Sequence, residues 1–75
     1  MKHYTIIVSG HEAIQARWTL AEAKKELRDM MVEQKKACIR RFKRAHVHSQ
    51  KYSWSITLGP DPRSALWLSA AIVDL

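Results

Sequence analysis

From Ala21 to Arg44 the chain contains neither glycine nor proline and consists largely of strong helix formers. Thr19-Leu20-Ala21-Glu22 matches a capping box at its start. The Thr19 hydroxyl and the Glu22 carboxylate would each satisfy an orphan backbone N–H. At about 100° per residue, Leu20, Leu27, Met31, Cys38, Phe42 and Ala45 fall in one narrow arc, flanked by Ala23, Met30 and Gln34. About a third of a 75-residue chain is thus one amphipathic helix. Its single apolar stripe needs an apolar surface to cover, and the remaining residues must supply it.

They read as strands. His3 to Ser9 is rich in β-branched and aromatic residues, with Tyr4, Ile6 and Val8 on one face. Glu12 to Trp18 alternates and would pair back on it through a turn at Gly10-His11. Lys51 to Leu58 alternates strictly, Tyr52, Trp54, Ile56 and Leu58 against Ser53, Ser55 and Thr57. Val47 to Gln50 reads as a loop. Ala65 to Val73 reads as a strand in preference to a helix with Asp61 as N-cap and Pro62 as its first residue. The expected class is α+β in two layers: an antiparallel sheet, ββαββ or βαββ, covered on one face by the long helix, with residues 1–75 forming a single domain. The other sheet face would stay open. Strand alternation puts Trp67, Ala71 and Val73 there, with Ile7 beside them. Trp67, Val73 and Ile7 are therefore candidates for a protein interface, including a homodimer.

Charge is unevenly placed. The net charge is +6, yet from Gln34 to Pro60 there is no Asp or Glu. That span holds Lys35, Lys36, Arg40, Arg41, Lys43, Arg44 and Lys51, seven of the thirteen basic residues. The other six face seven acids, so the rest of the chain is near neutral. Lys36, Arg40 and Arg44 repeat at i, i+4 and i+8, an arrangement of like charges that costs an isolated helix roughly 0.2–0.5 kcal/mol per pair. The helix dipole favours cations only in the last turn. It accounts for Arg41, Lys43 and Arg44 and leaves Lys35, Lys36 and Arg40 without a structural reason.

Other chemistries find little support. The two glycines are isolated, so no phosphate-cradling loop is present. The helical acids Glu22, Glu26, Asp29 and Glu33 lie on the solvent face, and no acid–base or nucleophile set stands out, so the chain reads as non-enzymatic. His46 and His48 would project to one side of an extended segment, but two ligands do not make a structural zinc site, and neither metal nor cofactor is expected. Cys38, the sole cysteine, falls on the core arc and reads as a buried thiol. With no disulfide possible, a cytoplasmic setting is the natural expectation. Ile6-Ile7-Val8 is too short for a signal peptide, no apolar run approaches a membrane span, and no membrane partner is expected.

The expected function is a basic binding module that holds nucleic-acid phosphates, DNA or RNA, through Lys35, Lys36, Arg40, Arg41, Lys43, Arg44 and Lys51. Phosphate contacts tolerate loose geometry, so no motif is required. The alternative is an inhibitor or adaptor that docks on an acidic protein surface. In size and style the chain is like the accessory factors of phages and mobile elements, an analogy without a shared motif.

Overall fold

The computed structural model describes residues 2–9 and 16–74. The elements run β1 (Tyr4–Val8), α1 (Leu20–Phe42), β2 (His46–Gln50), β3 (Ser53–Thr57) and β4 (Leu66–Asp74). The four strands form one antiparallel sheet in the order β1-β4-β3-β2, with α1 across one face. This is the expected α+β, two-layer arrangement. Ala65 to Val73 is a strand as expected. Asp61 caps only a turn, its carboxylate accepting from Arg63 N and its carbonyl from Ser64 N. The expected strand at Glu12–Trp18 lies mostly outside the described residues. Its last residue, Trp18, exchanges two backbone hydrogen bonds with Tyr4, at 2.9 and 3.0 Å, along the free edge of β1.

The helix starts where its sequence says. Thr19 N donates to the Glu22 carboxylate at 3.0 Å, and Glu22 N donates to the Thr19 hydroxyl at 3.3 Å. These bonds favour the charged carboxylate and hold the Glu22 pKa below its ordinary value. At the other end Lys43 takes a left-handed conformation, φ 62° and ψ 14°, and its N–H donates to the Ile39 carbonyl at 2.8 Å. The helix therefore stops at Phe42, two residues before Arg44, the end that the sequence predicts.

The core lies between α1 and the sheet. Ile6, Val8, Leu27, Cys38, Trp54, Ile56 and Ala70 are buried, with Met30, Met31, Val47, Leu68 and Ile72 packed around them. Two tryptophans fasten strands to the helix. Trp54 Nε1 donates to the Leu27 carbonyl at 2.8 Å, and Trp67 Nε1 donates to the Gln34 side chain at 3.2 Å. Cys38 is fully buried, its thiol donates to the Arg44 carbonyl at 3.2 Å, and burial pushes its pKa up.

Two expectations are corrected. First, 46–50 is an edge strand, not a loop. Its residues pair with all of β3 across the two-residue turn Lys51-Tyr52, and Val47, opposite Ile56, gives it an inward anchor. Second, Trp67 does not face the open side of the sheet. The β3–β4 register slips between Ile56, opposite Leu68, and Thr57, opposite Leu66. This irregularity leaves Trp67 as the extra residue and turns it onto the helix, where its ring meets Phe42 edge-on at 5.8 Å. Ile7 and Ala71 remain paired on the open face, as do Thr5 and Val73.

Candidate anion-binding surface

Lys35, Lys36, Arg40, Arg41, Lys43 and Arg44 are all exposed. They occupy the last two turns of α1 and its cap, so one end of the molecule carries six cations. The Arg41 guanidinium also lies over the Phe42 ring, 5.5 Å from its centroid. Lys43 holds its cation at a position where a side chain costs backbone strain and glycine would not. Ala45, on the expected core arc, lies past the helix end but packs against the core.

Lys51 is not part of this group. The β2–β3 hairpin returns to the start of α1, where the Lys51 and Lys24 ammonium groups each lie 5.3 Å from the centroid of the Tyr52 ring. At about 1.5 Å per residue, Lys24 and Arg40 stand about 24 Å apart along the helix. The hairpin cation therefore joins Lys24 and Arg28, which lie outside the acid-free span in the near-neutral remainder of the chain. Helical spacing carries the signal that finds them. Lys24, Arg28 and Lys35, at i, i+4 and i+11, share one flank, whereas Glu22, Glu26, Asp29 and Glu33 share another. The part of α1 that faces the hairpin is thus basic at Lys24 and Arg28. Val32 and Ile39, 39% and 41% exposed, lie in the same row as Arg28 and Lys35.

The open face of the sheet is different in character. Ser9, Ser53, Ser55, Ser69, Ala71 and His48 line much of a shallow depression of about 470 Å³ there. Ile7, Pro62, Ala70 and Trp54 also border it, so serines and apolar groups share this face, and Trp67 is not among them. Ile7, 45% exposed, and half-buried Val73 remain on this side, without Trp67 between them. The Thr57 hydroxyl donates to the Gly59 carbonyl at 2.6 Å, so the 3.0 Å contact with His48 must be donated by His48 Nε2. The hydrogen-bond chain spends one imidazole nitrogen on the fold.

Among the described residues no group of three or more His, Cys, Asp or Glu side chains is placed to hold a metal ion. No helix of the described residues is long and apolar enough to cross a membrane. In comparisons with protein-family models, curated proteins and solved structures, no match to this chain was found. The fold and the surface therefore define only a class: a two-layer α+β domain with a basic helix end.

Proposed function

We propose that the protein is a non-enzymatic module that binds nucleic-acid phosphates through the second half of α1 and its cap. The observation that carries this reading is the acid-free span from Gln34 to Pro60, whose six helix-end cations are all exposed. Cations in like-charged rows cost the helix stability, and a phosphate backbone offsets that cost by charge neutralisation and counterion release. The strained cap residue adds to the case, since a Lys stands where Gly would serve the fold better. Arg40, Arg41 and Arg44 suit bidentate phosphate contacts, and Lys35, Lys36 and Lys43 act as point charges.

The test is a salt titration of affinity for duplex and single-stranded DNA and RNA. Six phosphates neutralised on a duplex give a slope of about −5 in log K against log salt, near a thousandfold loss between 50 and 200 mM. A Lys36→Gln, Arg40→Gln, Arg44→Gln variant should lose about half that slope. Undetectable binding at low salt refutes the reading.

One observation favours a second reading. Val32 and Ile39 are exposed beside the cations, and phosphates have no use for them. An acidic protein surface with apolar contacts would use both. Partners captured from nuclease-treated lysate that are lost on Val32→Ser, Ile39→Ser substitution would select this alternative.

A further inference from the structure

Lys24, Arg28 and Lys51 line a depression of about 380 Å³ between α1 and the β2–β3 hairpin. Its lining has three parts with distinct chemistry. The rim carries three cations and no carboxylate. The wall is apolar, formed by Leu27, Met31 and Trp54. Ser49, Gln50 and Ser53 supply polar groups along the edge strand and the turn. Trp54 is 4% exposed and its indole N–H is committed to the Leu27 carbonyl, so this wall is rigid. Tyr52 holds two of the three cations near the opening by cation–π contact.

Convergent cations without an acid select an anion, because three like charges at one rim are each raised in energy by the others. The apolar wall selects against a bare, strongly hydrated ion, which would gain nothing there. The volume falls at the lower end of the range for small-molecule sites. A ligand that meets all three conditions has a charged head of two negative charges, a flat or apolar body, and polar groups between. We infer that this depression binds an organic phosphate of mononucleotide size, its phosphate between Lys24, Arg28 and Lys51 and its ring against Met31 and Trp54. The outer-face depression carries no Lys or Arg for this. The inference does not rest on the nucleic-acid reading of the helix end, although a nucleotide within a strand would present the same chemistry as a free one.

The experiment is a titration of the whole ¹⁵N-labelled chain with adenosine monophosphate, followed by amide and indole shifts. Adenosine and inorganic phosphate serve as the divided ligand. The expected result is saturable shifts at Arg28, Ser49, Lys51 and the Trp54 indole, with each half-ligand at least tenfold weaker. Arg28→Gln, which touches no ring, and the Lys24→Gln, Lys51→Gln pair should each weaken the nucleotide tenfold or more, with the remaining spectrum unchanged. Lys36→Gln, Arg40→Gln, Arg44→Gln should leave it unaltered, which separates failure here from failure at the helix end. A short single-stranded oligonucleotide that displaces the nucleotide identifies a strand as the source of the phosphate. Failure to displace it identifies the free nucleotide. Absence of saturable shifts at millimolar nucleotide overturns the inference, as does inorganic phosphate binding as tightly, or equal loss in the helix-end variant.

Discussion

Lys43 offers a substitution whose sign separates the demands of folding from those of binding. It sits at φ 62°, in the left-handed region, at the C-cap of α1. A side chain with a Cβ costs roughly 1–2 kcal/mol there, and glycine avoids the clash. Lys43→Gly and Lys43→Ala both remove the cation, so the loss of its interaction with the helix dipole cancels between them. What differs is the strain relieved in Gly, less the roughly 0.4–1 kcal/mol by which Gly loosens the unfolded chain. Lys43→Gly should therefore be about 0.5–1 kcal/mol more stable than Lys43→Ala. For a domain of this size that is about 3–6 °C in Tm. Within a helix the order reverses, with Gly about 1 kcal/mol worse than Ala, so the sign is diagnostic. Urea unfolding of the three proteins reads it directly. If Lys43 contacts a phosphate, both variants lose about fivefold in affinity at 0.15 M salt, from a slope of about 0.9 per contact. A Gly variant less stable than the Ala variant refutes the assignment of strain. Unchanged affinity in both removes Lys43 from the binding surface.

Three further outcomes follow from the packing. Trp67→Ala removes the hydrogen bond to Gln34 and the Phe42 contact, so urea unfolding should show a loss of about 2–4 kcal/mol, with molecular mass by light scattering unchanged. The Cys38 thiol should resist a thiol reagent until the chain unfolds. Because its folded pKa is raised, the fold retains the proton when the unfolded chain loses it, and stability should fall as pH rises above the ordinary thiol range. A Cys38→Ala variant should lack that part of the slope in urea midpoints between pH 7.5 and 10. Thr19→Ala should cost about 1 kcal/mol by loss of the cap. The Glu22 pKa is lowered on folding, so its contribution is present above the ordinary carboxylate range and lost as pH falls through the folded value. The difference between the native chain and Glu22→Gln should therefore close on acidification.

The helix was legible because three local signals agree: a capping box, an unbroken run of helix formers and an apolar period near 3.6. The strands β1, β3 and β4 were legible from residue type and alternation. β2 was not, because an edge strand with one covered face needs few apolar residues, and His46–Gln50 has only Val47. Its extended form comes from the ladder with β3, a tertiary cause invisible in local propensity. Trp67 was misplaced for a related reason. Alternation assumes a regular register, and one extra residue at a bulge moves a side chain to the opposite face. Lys51 was grouped with Arg44 because the two lie within one acid-free span. The hairpin turns that span back along the helix, so nearness in charge pattern was not nearness in space.

The corrected placements concentrate the functional argument on one side of the molecule. With Trp67 turned inward, the open sheet face presents serines and His48, whose Nε2 is spent on Thr57, and it loses the anchor that a dimer through that face would use. The β2 side gains what the open face loses. Lys24, Arg28 and Lys35 follow one flank of α1, Lys51 approaches from the hairpin, and the four helical acids lie on a different flank. A helix that needed charge only for solubility would gain more from mixing the signs at i, i+4, where each opposite pair stabilises it. Here the acid flank is mixed, with Lys25 four residues before Asp29 and Lys36 three after Glu33, whereas the flank of Lys24, Arg28 and Lys35 carries cations and no acid. That single acid-free flank, facing the hairpin cation Lys51 at its Lys24–Arg28 end, is the property a selection for anions explains and a selection for folding does not.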